Sequence, residues 1–322
     1  MLIYAGIDEA GYGPMLGPLC VACSAFVIPN HDPEQGKIDL WHQLRGAVCR
    51  KKSDKKHRLA IDDSKNLKGA KKGKAHPLLN LERGVLSFLA QGNELSPCDD
   101  DVFRMLGTSL PEEPWYESST DLPVANQPDQ LRIASARLHL SMTDEGIVLG
   151  YSGCEMIDVA SFNEQVEQSG TKAAVNFTAA MRHVDRIWKQ WPDAHPRVLI
   201  DRHGGRTHYR ELLQFAFPEA FIRIVAEEPS ISRYVLQHGD SSLTISFLTE
   251  AEKKHLPVAL ASMIAKYMRE LAMIRMNRHF QGLQPQLEPT AGYVQDARRY
   301  LADLKPVLEA CRVDRRCLVR SC

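Results

Sequence analysis

Four carboxylates stand where apolar segments end or run through a buried position. Asp8 and Glu9 follow the apolar run that starts at Leu2, Asp201 follows Val198-Leu199-Ile200, and Glu270 sits inside an alanine- and methionine-rich segment. An unpaired buried carboxylate is costly, and a hard divalent cation removes that cost. Oxygen-only donors suit Mg2+ or Mn2+. Such a set supports two-metal hydrolysis of a phosphodiester, with one ion lowering the pKa of the attacking water and the other stabilising the leaving oxygen. Asp8, Glu9, Asp201 and Glu270 are therefore the candidate catalytic residues and metal ligands. His203 and His208 could move protons, although a surface or capping role is the plainer reading of each. Acids at strand ends also cap following helices, so spacing alone leaves both readings open.

The elements that must position these acids read as an alternation of strands and helices. Residues 2–8 form a short buried strand, and Gly11-Tyr12-Gly13-Pro14 a turn. Residues 19–28 form a second strand, paired to the first as a hairpin. Asp62-Asp63-Ser64-Lys65 suits a helix entry or a phosphate-facing loop. Residues 77–90 have helical spacing. Leu138, Leu140 and Met142, then Ile147, Leu149 and Tyr151, alternate across Thr143-Asp144-Glu145-Gly146 as a hairpin would. Residues 161–188 read as one helix, with Ser161 and Glu164 as a capping box. Residues 198–201 and 221–225 are strands, and 209–215, 258–280 and 295–309 are helices. The class is α/β. The acidic, proline-bearing stretch 92–130 reads as an inserted excursion, disordered or a surface loop, or else a lid. As such it should be removable without loss of activity.

The chain has 322 residues, enough for one large domain or two modest ones. No apolar run approaches the roughly 20 residues that span a bilayer. The opening residues lack the basic region of a signal peptide, so a cytoplasmic protein without membrane association is expected. Eight cysteines are present. Cys20 and Cys23 have CxxC spacing, but they lie in an apolar run with no second pair at zinc-ribbon distance, so buried strand cysteines are expected. Lys and Arg (40) balance Asp and Glu (40), yet bases crowd residues 45–74 and the C-terminal segment. Two basic segments on a neutral chain could bind a polyanion locally or simply be solvated.

The string Gly6-Ile7-Asp8-Glu9-Ala10-Gly11-Tyr12-Gly13-Pro14-Met15-Leu16-Gly17-Pro18 resembles the opening motif of the type 2 ribonucleases H (RNase HII and HIII). Asp63-Ser64-Lys65-Asn66-Leu67 looks like that family's Asp-Ser-Lys segment, and Val198-Leu199-Ile200-Asp201 is similar to its third-carboxylate strand. Ala261-Ser262-Met263-Ile264-Ala265-Lys266 resembles the helix carrying the fourth acid, here placed at Glu270. Gly292-Tyr293 looks like the C-terminal Gly-Tyr element. The resemblance runs in family order over nearly the whole chain. It implies a ribonuclease H-like fold with a mixed central sheet flanked by helices. The catalytic domain would span 1–260, and a C-terminal helical extension, 261–322, would carry the fourth carboxylate. It implies a monomeric endonuclease using Mg2+ or Mn2+ to cut the RNA strand of RNA–DNA hybrids, leaving 5′-phosphate and 3′-hydroxyl ends.

In that reading Gly11, Tyr12 and Gly13 approach the substrate, where backbone groups read a 2′-hydroxyl. Lys65 contacts a phosphate, and Tyr293 packs on the sugar. Three departures stand out. Tyr12 replaces the arginine of RNase HII, and a neutral aromatic lacks arginine's charged fork. The fourth acid is a glutamate where RNase HII has aspartate. The 92–130 stretch is foreign to compact members. A catalytically weak nucleic-acid-binding protein on the same fold, or a metal nuclease with another substrate, are the competing readings.

Overall fold

β1 (Leu2–Ala10) is buried along almost its whole length and pairs antiparallel with β2 (Leu19–Ile28), whose small and β-branched residues are buried on both faces. The computed structural model describes residues 1–29, 31, 38–69, 75–202 and 204–321. The chain continues through α1 (Leu40–Gln43), a short parallel pair β3 (Val48–Cys49) and β4 (Leu59–Ala60), α2 (Ser64–Leu67), α3 (Leu79–Ala90), α4 (Asp99–Met105) and α5 (Pro128–Asp144). Then come β5 (Val148–Ile157), α6 (Val159–Ser169), α7 (Lys172–Gln190), β6 (Arg197–Asp201) and α8 (Arg210–Ala216). Strands β7 (Phe221–Glu228), β8 (Ile231–His238) and β9 (Ser241–Leu248) precede the long α9 (Leu256–Leu283) and the final α10 (Val294–Ala310).

The central sheet has seven strands in the order β5-β2-β1-β6-β9-β8-β7. β1, β6 and β9 run parallel, and the remaining neighbours are antiparallel, so the sheet is mixed. Alternate residues point to opposite faces. Ile3, Ala5 and Ile7 of β1 pack toward α6, α7 and α8, whereas Leu2 and Tyr4 pack toward α3 and α9. The same alternation sends Cys20 and Cys23 into the cores on opposite faces of the sheet, so their CxxC spacing pairs nothing. α9 is buried on nearly every side through most of its length, as suits a helix in the middle of a fold. Its N-terminal turn lies on Gly6, where a Cβ would meet the Val258 nitrogen at 2.2 Å. The glycine there is what lets the helix approach the strand. Among the described residues no helix is long and apolar enough to cross a membrane. The expected mixed sheet flanked by helices is present, and the 260/261 boundary falls inside α9.

Three expectations are corrected. Residues 138–151 are not a hairpin. Pro128 opens α5, and its buried Leu131, Ala134, Ser135, Leu138 and Met142 follow helical spacing. Leu140, whose alternation suggested a strand, is 63% exposed. The helix expected over 161–188 is two helices. Gly170 closes α6 at φ 79° and the Thr171 side chain caps α7. Asp158 rather than Ser161 caps α6, accepting from the Ser161 amide at 3.0 Å.

The third correction concerns 92–130, which is neither a loose loop nor disordered. Val102, Phe103, Trp115 and Tyr116 are buried. Fully buried Arg275 of α9 pairs with Asp99 and Asp100 and donates to the Tyr116 carbonyl at 2.6 Å. Buried Glu82 of α3 accepts from the amides of Val124 at 2.7 Å and Ala125 at 2.8 Å, from Asn126 Nδ2 at 2.9 Å and from the Tyr267 hydroxyl at 3.1 Å. Two buried charges thus depend on this segment for their partners.

Candidate active site

Asp8 and Asp201 occupy matching positions at the ends of neighbouring parallel strands, one step beyond the Ile7–Ile200 pair. Adjacent strands lie about 4.8 Å apart, and both carboxylates issue on the α9 side. The next strand outward, β9, is parallel to β6 and ends at Leu248 opposite Asp201. The chain then turns through a 3-10 helix, Ala251–Lys253, carrying Glu252. Asp201 Oδ1 accepts from the Ala251 amide at 2.9 Å, which fixes that turn against the strand end. Across from it, Asp63 caps α2 by accepting from the Lys65 amide at 2.9 Å.

The electrostatics bind these residues into one group. Burial, and then the charges of Glu9 and Asp201, push the Asp8 carboxyl well above its ordinary range, against hydrogen bonds from Ser262 and from the Glu9 amide at 2.8 Å. Ser262 Oγ of α9 also lies within hydrogen-bond distance of Ser64 Oγ, at 3.0 Å, so it ties α9, α2 and β1 together. Glu252 is pushed up to about 7 by burial and then by the charge of Asp201, with Asp63 adding to it. Burial opposes the charge of Lys65, but Asp63, Asp8, Glu252 and Glu9 outweigh it and raise its pKa. Lys65, expected to meet a phosphate, therefore stands amid the carboxylates.

Glu270 is elsewhere. Its carboxylate pairs with Lys68 Nζ at 2.6 Å and Lys266 Nζ at 2.9 Å. Burial would raise its pKa, yet the two ammonium groups prevail and hold it down to about 2. An acid satisfied by two lysines is a poor candidate for a metal ligand, since its charge is already neutralised. The structure thus brings together Asp8, Glu9 and Asp201 of the expected four and supplies Glu252 in place of Glu270. Glu252 obeys the same rule as the other acids, standing just past the end of a buried strand. It escapes a sequence reading that does not recognise residues 241–248 as that strand. Among the described residues no three acidic, histidine or cysteine side chains stand at metal-ligating spacing. His208 bonds Glu227 at 2.8 Å, and His203 lies outside the described residues.

The glycine turn and the C-terminal element meet beside this group. Gly292 accepts from the amides of Met15 at 2.8 Å and Leu16 at 3.2 Å, which brings exposed Tyr293 alongside the turn. Gly11 adopts φ 91°, and a Cβ there would meet the Pro18 carbonyl at 2.6 Å and Arg269 Cδ at 2.7 Å. Only glycine suits both constraints. Two buried arginines brace the turn. Arg269 donates to the carbonyls of Leu16 and Ala291, both at 3.0 Å. Arg320 donates to those of Gly17 at 2.9 Å and Gly11. The Tyr12 ring carries the Lys172 ammonium 4.9 Å from its centroid. The turn therefore has a cation beside it, drawn from the start of α7.

Residues 214–305, which hold Glu252, Ser262, Lys266 and Glu270, match the family model described as Ribonuclease HII. Over this segment the resemblance to type 2 ribonucleases H is borne out. The match stops short of the glycine turn. No curated protein matches the chain. Among solved structures, RNase HII from Archaeoglobus fulgidus, determined in a PCNA complex, is similar at 16% identity and TM-score 0.44, covering 99% of this chain and 94% of that one. Bst-RNase HIII in complex with Mn2+ gives 14% and 0.43, covering 99% of this chain and 66% of that one. The ribonuclease H2 of Pyrococcus horikoshii OT3 gives 13% and 0.41, with 98% and 92% covered. Similarity at this level carries no functional weight, which rests on the matched segment and on the site.

Proposed function

We propose that the chain is a metal-dependent endonuclease that hydrolyses the RNA strand of RNA–DNA hybrids, leaving 5′-phosphate and 3′-hydroxyl ends. The observation that carries this is the set of acids at the ends of three neighbouring strands, Asp8 with Glu9, Asp201 and Glu252, the last of them inside the segment 214–305 that matches the Ribonuclease HII model. The donor set fits a hard divalent cation. It is all oxygen, it is partly buried, and two of its members, Asp8 and Glu252, have pKa values raised by burial and then by the charges of neighbouring acids. Mg2+ or Mn2+ held by Asp8, Glu9, Asp201 and Glu252 would supply an activated water and stabilisation of the leaving oxygen. The residues of the chain do the rest. Ser262 orients Asp8, and the Ala251 amide orients Asp201. Lys65 is placed to offset the charge of an arriving phosphate. The braced glycine turn offers backbone groups where a 2′-hydroxyl can be read, with Tyr293 beside it to pack on the sugar.

Three labelled duplexes test the proposal with Mg2+ and then Mn2+: an RNA–DNA hybrid, a DNA duplex with one ribonucleotide, and all-DNA. Cutting of only the ribose-containing duplexes is expected. Equal cutting of DNA would make the chain a nuclease of another kind, and tight binding without cutting would make it a binding protein. The ligand assignment has its own test. Glu252→Gln should lower the cleavage rate by about a hundredfold or more, about 2.7 kcal/mol of transition-state stabilisation. Glu270→Gln should retain most of the activity. The reverse pattern would return the fourth ligand to Glu270.

A further inference from the structure

The central sheet is covered unequally. α9 crosses β1 and β2 on one face and reaches β6, but among the described residues no helix packs extensively on the same face of β9, β8 and β7. The other face of those strands is closed by Tyr209 and Leu213 against Ile222, Tyr234, Leu236 and Ile245. The strands alternate accordingly, apolar toward the closed face and polar toward the open one, as half-solvated antiparallel strands do. What the open face carries is cationic. Arg197, Thr244, Val235 and Arg223 form one row across β6, β9, β8 and β7, and Leu199, Ser246 and Arg233 start the next. Together with Arg50, Lys253 and Lys254 they line an open groove of about 860 Å³ whose only acid among the described residues is Asp39.

Such bonds as these arginines make leave their charge unneutralised. Among the described residues no carboxylate pairs with Arg50, Arg197, Arg223 or Arg233. Arg233 is held by Ser246 Oγ at 3.0 Å, and Arg50 by the Lys253 carbonyl and the Trp41 ring, 3.6 Å from its centroid. Guanidinium groups held by neutral partners keep their full charge for a ligand. Like charges crowded without counterions repel one another, which an arriving polyanion relieves. The groove also adjoins the candidate active site, because Lys253 and Lys254 directly follow Glu252.

We propose that this open basic sheet face is a second nucleic-acid-binding groove, which grips the phosphate backbone of the strand flanking the cleavage position. This rests on the nuclease reading above only for which strand it grips. Arg197 and Arg223 are three interstrand steps apart, about 14 Å, a length that meets more than one phosphate of a strand. Among the described residues lining the groove no Phe, Tyr or Trp is exposed, Phe221 lying beyond the lining, so the groove grips backbone rather than stacking bases and its grip is indifferent to sequence.

The test is fluorescence anisotropy of the full chain without divalent metal. It uses labelled hybrids of about 8 and about 30 base pairs over a range of NaCl concentrations. The variant replaces Arg197, Arg223 and Arg233 with serine, and its melting temperature is checked against the parent. The variant should bind the long hybrid about tenfold or more weakly, with the slope of log K against log salt shallower by about 2–3, while the short hybrid is bound as before. Arg223→Ser alone, on the exposed edge strand, should lower the slope by about 1, so the proposal stays testable should the triple variant fold poorly. Unchanged slopes on the long hybrid would overturn the groove, whether or not the short hybrid is cut in Mg2+. A changed slope in a protein that cuts nothing would leave the groove standing and remove the nuclease reading.

Discussion

At the scale of single residues, the two glutamates Glu252 and Glu270 have opposite surroundings. Glu252 is raised from 4.5 to about 7. Between those values the folded chain holds a proton that the unfolded chain has released, so stability falls as pH rises through that window. Asp8 acts in the same direction. Glu270, lowered to about 2, stabilises the fold above its ordinary pKa and loses that contribution only as pH falls toward about 2. Metal-free protein melted between about pH 5 and about pH 8 should therefore lose several degrees more than Glu252→Gln does. Parallel curves would show that Glu252 is not strained by its neighbours, and added Mg2+ should flatten the wild-type curve if the acids hold it. Tyr12 offers a test of selectivity. Tyr12→Arg restores a forked cation to the turn, and it should raise kcat/KM at a single embedded ribonucleotide relative to a long hybrid. An unchanged ratio would mean that the turn, with Lys172 already beside it, does not select.

Most of this chemistry is legible in the sequence because acids at the ends of apolar runs are a local pattern. Asp8, Glu9 and Asp201 are found that way. Glu252 is not, because Ser241–Leu248 mixes serines and a threonine with its apolar residues, polar toward the open face. Glu270 is misplaced because a helix position says which face an acid occupies but not that Lys68, two hundred residues away in sequence, will meet it.

Among the elements, the 92–130 segment changes most between sequence and structure. Prolines and acids suggested an excursion, yet the acids are there to meet Arg275 and the segment's backbone to meet Glu82. Neither partnership is visible from composition, since Arg275 lies on α9 far along the chain and Glu82 is met by the far end of the segment. Deleting the segment should therefore not leave a working enzyme, as an appended loop would, but strand two buried charges. Asp99→Ala alone should cost about 3–5 kcal/mol by leaving Arg275 with one partner fewer in a buried site. Urea denaturation measures this, and a loss below about 1 kcal/mol would mark the pair as dispensable. The α5 error has a similar origin. Alternation over five residues fits a strand, but the spacing from Leu131 to Met142 fits a helix, and the longer pattern prevails.

At the scale of the whole molecule, the sheet divides the labour. Its helix-covered half carries the core that holds β1 in place, and its open half carries arginines. A chain with no net charge can therefore still present a mainly cationic surface beside its carboxylates. Binding to long nucleic acids should weaken steeply with salt in spite of the neutral total. The bracing of the glycine turn belongs to this scale too. Gly11 leaves β1 near one end of the chain, and the side chain that fastens its carbonyl belongs to Arg320, 309 positions later. On a ribosome adding about 5–20 residues per second, roughly 15–60 s separate the making of that turn from the making of its brace. Through that interval the first carboxylates exist without the loop geometry beside them. The geometry of the glycine turn is in this way a property of a chain made through Arg320, and not of its first two strands alone.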